Sequence, residues 1–113
     1  MATPDDVRRI ALALPEATER VTWGVDITFR VGGKIFAITG PESTGVSIKA
    51  SMDDQAALVG SDPETFQPSA YTGRFGWVTE QLASVSPTML DQLLRSAWRR
   101  TAPKRLARTL PED

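Results

Sequence analysis

Apolar side chains recur along this chain at two different periods, and the change from one to the other lays out the architecture. Val7, Ile10, Ala11 and Leu14 fall at i, i+3, i+4 and i+7, the single stripe of an amphipathic helix. Ahead of them Thr3 offers a capping hydroxyl, Pro4 suits the first helical position, and Asp5 and Asp6 complement the positive end of the helix dipole. Pro15 stops that helix. Further on the period drops to two. A short strand over Arg20–Trp23 breaks at Gly24, and in Asp26–Val31 the residues Ile27, Phe29 and Val31 alternate with Thr28 and Arg30. Gly32-Gly33 is a two-residue hairpin turn, because paired glycines accept the positive φ angles it needs. Lys34–Thr39 returns, a looser turn follows, and Val46–Ala50 adds a fourth strand to an antiparallel meander.

The period lengthens again afterwards. Residues 53–60 read as a short helix capped by Ser51 or Asp53 and ended by Gly60, and the polar segment Ser61–Arg74 reads as an irregular loop with room for one turn of helix. Gly76–Leu82 is a final strand. Ser86 then caps a long helix that Pro87 starts, with Leu90, Leu93, Leu94, Ala97 and Trp98 as its apolar stripe; Pro103 ends it or begins a second, shorter one. Helix, antiparallel sheet and helix define an α+β domain of about five strands over residues 1–113.

Composition narrows the chemistry. The 113 residues include no cysteine and no histidine, which removes disulfides, thiolate and imidazole catalysis, and zinc sites built on either residue. The carboxylate pairs Asp5-Asp6 and Asp53-Asp54 sit at helix starts, where capping and the dipole account for them, and Glu112-Asp113 lies at the terminus. No apolar run is long enough to span a bilayer, and the first residues read as a helix start rather than a signal peptide, so a cytoplasmic protein without membrane contact is expected. Gly73–Trp77 lacks the strand–GxxxxGK[ST]–helix setting of a phosphate-binding P-loop.

Charge is distributed unevenly. Formal net charge is −1, yet Arg95–Arg108 holds six cations and no anion. A helix C-terminus favours cations, which explains Arg95, Arg99 and Arg100 better than Lys104, Arg105 and Arg108 beyond the proline. On the hairpin, Arg30 occupies the polar face and Lys34 opens the return strand; Lys49 and Arg74 join them if they share that side. Such cations could contact phosphates with the turn as a wing tip. Trp23, Tyr71, Arg74 and Trp77 instead suggest a cleft for a flat or anionic ligand.

Several of these pieces occur in a telling order: Trp23-Gly24, then Phe29–Ala37, a short helix, Gly73-Arg74-Phe75-Gly76-Trp77-Val78, and a closing helix with Ala97-Trp98 followed by Ala102–Leu106. In this arrangement the chain resembles the MmcQ/YjbR family over nearly its whole length. The resemblance implies a CyaY-like fold, a curved antiparallel sheet with N- and C-terminal helices on one face. It also implies DNA binding of the double-wing type, in which the open sheet face clasps a duplex. A fold-level relation to frataxin raises iron binding through an acidic first helix. Here Asp5, Asp6, Glu16 and Glu19 are interrupted by Arg8, Arg9 and Arg20, so neither a metal nor a cofactor is expected. The expectation is a small non-enzymatic binding protein, monomeric, with DNA as its ligand through Arg30, Lys34, Lys49, Arg74, Arg99, Lys104, Arg105 and Arg108. The alternative is a protein–protein or small-ligand adaptor using the concave sheet or the Tyr71–Trp77 loop.

Overall fold

The Thr3 hydroxyl accepts from the Asp6 amide at 3.2 Å, and the Asp6 carboxylate accepts from the Thr3 amide at 3.0 Å. This reciprocal cap starts α1 (Pro4–Ala13), and Leu14 ends it in an extended conformation just before Pro15. A computed structural model describes residues 1–22, 26–40 and 44–110. After α1 come β1 (Thr18–Thr22), β2 (Asp26–Val31), β3 (Lys34–Thr39) and β4 (Gly45–Ile48), then α2 (Met52–Ser61), β5 (Phe66–Pro68), β6 (Val78–Gln81), α3 (Pro87–Thr101) and α4 (Lys104–Ala107). Ser51, not Asp53, caps α2, accepting from the Asp54 amide at 3.0 Å.

Six antiparallel strands form one open sheet in the order β1-β2-β3-β4-β6-β5. The sequence pattern gives about five strands. The sixth, β5, lies inside the segment read as a loop, because three residues ending in a proline carry no alternation to recognise. Trp77 falls just before β6 rather than opening it, since Gly76 adopts a φ of 97° at the end of a 3₁₀ turn over Gly73–Phe75.

Helices α1 and α3 cover one face of the sheet, α3 resting on β3 and β4, while α2 leans on β5. Phe29, Phe36, Val46, Ile48, Phe66 and Val78 point into this layer and meet Val7, Leu90, Leu94, Ala97 and Trp98. Trp98 is fully buried, and its indole donates to the Pro15 carbonyl at 3.0 Å, tying α3 to the end of α1. A bulge where β2 meets β3 at Phe29/Arg30 lets both Phe36 and Ala37 turn inward. Among the described residues no helix is long and apolar enough to cross a membrane.

Candidate nucleic-acid interface

Gly32 and Gly33 take φ angles of 60° and 79°, as the tight β2–β3 turn requires. The turn does not project freely. A Cβ placed on Gly32 would lie 3.1 Å from Pro103 Cδ, so the hairpin tip is seated on the α3–α4 junction and a side chain there would crowd the proline. Lys34 follows the turn by one residue and Lys104 follows the proline, so the seating holds both at one end of the molecule, with Arg105 exposed on α4. Lys34, Lys104, Arg105 and Arg108 are exposed and form no ion pair among the described residues.

Other expected members of the cationic set lie elsewhere. Arg30 is half-buried on the open sheet face and spends a donor on the Thr28 hydroxyl at 3.3 Å. Lys49 does not share that side: it lines the gap between α2 and α3, together with Leu58, Leu93 and Arg100. Arg74 sits in the 3₁₀ turn between β5 and β6, stacked 4.8 Å from the Phe75 ring. Since β4 and β6 separate that turn from the hairpin, Arg74 does not merge with Lys34. Arg99 is half-buried and borders a recess shared with Asp54, Ser96 and Arg100. Of the remaining cations in the C-terminal run, Arg100 pairs with Asp54 at 3.3 Å and Arg95 with Asp91 at 3.2 Å.

The open sheet face carries hydroxyls more than charge. Thr22 and Thr28 are hydrogen-bonded to each other, and Thr79 bridges Ser47 at 2.8 Å and Ser69 at 2.9 Å. A shallow depression of about 350 Å³ lies farther along, lined by Asp26, Ile38, Gly45, Ser47, Thr79 and Gln81 among others. A row of cations at alternate positions, as the strand pattern suggests, is therefore not what this face presents.

The aromatic cleft also departs from expectation. Tyr71 is 94% exposed, so its ring cannot wall a cleft, and Trp23 lies outside the described residues. Trp77 is half-buried, and its carbonyl accepts from the Ser69 amide and the Gln55 side chain. Gln55 also donates to the Gly73 carbonyl at 2.8 Å, which fastens the whole turn to α2. Gly76 is obligatory, because a Cβ there would come within 2.5 Å of the Ala50 carbonyl oxygen. The result is a pinned loop that displays Tyr71 and Phe75 to solvent.

Two polar groups escaped the sequence reading. Gln55 is one, and Glu80 is the other. Glu80 stands on the inward face of β6 between Val46 and Phe66, fully buried, and neither carboxylate oxygen has a hydrogen-bond partner. Desolvation pushes its pKa up to about 8, so the carboxyl is held uncharged at neutral pH. Its signal was the alternation of Val78, Thr79, Glu80 and Gln81: if Val78 faces in, so does Glu80. Two carboxylates nearer the surface, Asp6 and Glu19, behave oppositely. Hydrogen bonding from Arg9 and the Thr3 amide lowers the Asp6 pKa, and hydrogen bonding from Arg8 lowers that of Glu19. No group of three or more carboxylates, histidines or cysteines that could hold a metal ion occurs among the described residues.

Fold and surface together define a small α+β domain with an open antiparallel sheet, helices on one side of it and a cationic end. The YjbR family model matches residues 12–100, and the chain belongs to that family. Among solved structures it is similar to the Deinococcus radiodurans protein DR2400, which carries a DUF419 domain. The two are 25% identical with a TM-score of 0.79, over 88% of this chain and 78% of that one. No curated protein matches it.

Proposed function

We propose that this chain is a non-enzymatic binding protein whose ligand is duplex DNA, engaged by the end of the molecule where the β2–β3 turn meets α4. The supporting observation is the seating of Gly32 on Pro103, which gathers Lys34, Lys104 and Arg105 with no ion pair among the described residues. Concentrated unneutralised cations attract phosphate even when the protein as a whole is negative, as this one is at −1. The contact set is smaller than the sequence suggests, because Lys49 and Arg74 lie away from this end and Arg30 is engaged by Thr28.

A labelled duplex titrated at low and moderate salt tests the reading. Each phosphate contact contributes about −0.9 to the slope of log affinity against log salt. Replacing Lys104 and Arg105 by alanine should therefore flatten the slope by roughly 2, while Arg74→Ala leaves it unchanged. Absence of detectable binding at low ionic strength ends the proposal.

A second reading, a protein adaptor, is favoured by the pinned loop that leaves Tyr71 94% and Phe75 64% exposed. Large aromatics displayed from a pinned backbone are suited to a protein partner, since the loop itself needs little ordering on contact. Tyr71→Ala should abolish capture of such a partner while leaving the DNA titration untouched.

A further inference from the structure

Helix α2 turns toward β5 and the Gly73–Phe75 turn because Gln55, its one buried side chain, is bonded there. It consequently stands off from α3, and the Arg100–Asp54 ion pair spans the gap. Beneath that pair lies a pocket of about 300 Å³, at the lower end of the range for small-molecule sites. Its floor is apolar, formed by Ile48, Leu58 and Leu93, and its rim carries Lys49, Arg100 and Asp54. Lys49 is half-buried and forms no ion pair among the described residues. A second recess of about 480 Å³ adjoins through the shared residues Asp54, Ser96 and Arg100 and adds Arg99. Lys49 and Arg100, against the one carboxylate of Asp54, thus edge a pocket whose remaining lining is largely apolar.

We infer that the α2–α3 gap is a binding site for a small organic monoanion with an apolar body, such as a medium-chain carboxylate. The tail would replace water over Leu58 and Leu93, and the carboxylate would meet Lys49 and the donors of Arg100 not directed at Asp54. Arg100 presents five N–H donors in all, so retaining Asp54 does not exhaust it. This site is separate from the proposed DNA contacts at Lys34, Lys104 and Arg105.

Titrating the protein with octanoate and with octanol, while following the Leu58 and Leu93 methyl resonances, tests the assignment. Octanoate is expected to shift these methyls with an affinity of about 1 mM or tighter. Octanol should bind more weakly, since the tail is common to both and only the anion engages the rim. Lys49→Met keeps the aliphatic stem and removes the charge, and should weaken octanoate about tenfold with octanol unchanged. Ala57→Trp, a substitution at an exposed position of α2 that lines the pocket, should block both ligands. Equal affinity for the acid and the alcohol, shifts mapping away from α2 and α3, or octanoate binding unaffected by Ala57→Trp overturns the inference.

Discussion

Glu80 makes the stability of this protein depend on pH in a range where most proteins change for other reasons. In the unfolded chain its carboxyl has the ordinary value of 4.5, whereas in the folded state it loses its proton only near 8. Between those values the unfolded state binds fewer protons than the native state, so stability falls as pH rises. It is full below 4.5 and is lost progressively until the folded carboxyl itself ionises near 8. At 1.36 kcal/mol per unit, the decrease from pH 5 to pH 7 is about 3 kcal/mol, a large part of the ~5–15 kcal/mol that holds a domain together. The window is unusually clean. The chain has neither histidine nor cysteine, the side chains that ordinarily titrate there. Asp6 and Glu19 have lowered values, so their contributions are present above the usual carboxylate range and disappear only in acid. Urea denaturation at a series of pH values, followed by the fluorescence of buried Trp98, measures the slope. Glu80→Gln keeps the size and cannot ionise, and should remove the dependence. A wild-type stability constant within about 0.5 kcal/mol from pH 5 to 7, or an unchanged slope in the glutamine variant, would refute the reasoning.

Other substitutions test the architecture around the proposed sites. Gly76→Ala places a methyl on the Ala50 carbonyl at a φ of 97° and should cost at least about 3 kcal/mol, visible as a lowered melting temperature. Gln55→Leu removes the side-chain amide that ties the Gly73 and Trp77 carbonyls to α2, although each carbonyl keeps a backbone donor, from Gly76 and Ser69; a loss of about 1–3 kcal/mol and faster proteolysis within residues 69–76 are expected. Ser86→Ala removes the hydroxyl that accepts from the Met89 amide, lowering stability by about 1 kcal/mol in urea titration. Asp54→Ala breaks an exposed ion pair and should change stability by less than about 1 kcal/mol, measured the same way.

Local signals carried much of the fold. Thr3 with Asp6, the paired glycines and Ser86 with Pro87 each specify a boundary by chemistry within a few residues, and the structure places α1, the β2–β3 turn and α3 there. The β5 strand had no such signal, because its pairing with β6 is tertiary and its three residues are too few to show a period. The cationic set illustrates a second limit. Alternation tells which strand face a residue takes, but not that Lys49 would follow β4 into the gap beside α3, nor that Arg74 would stand two strands away from the hairpin. The juxtaposition of Lys34 with Lys104 was equally hidden, since it depends on a glycine without a side chain meeting a proline far along the chain. Glu80, by contrast, was legible. Its place two residues after Val78 in an alternating strand assigns it to the interior, and only the habit of reading glutamate as a surface residue obscured it.

The contact between Gly32 and Pro103 also sets an order of assembly. A ribosome releases the hairpin long before the proline that seats it, so no N-terminal fragment carries the joined surface, however well its strands have paired. A ligand that engaged Lys34 together with Lys104, as proposed, would meet only chains extended past Pro103, and shorter ones would be passed over without any additional safeguard.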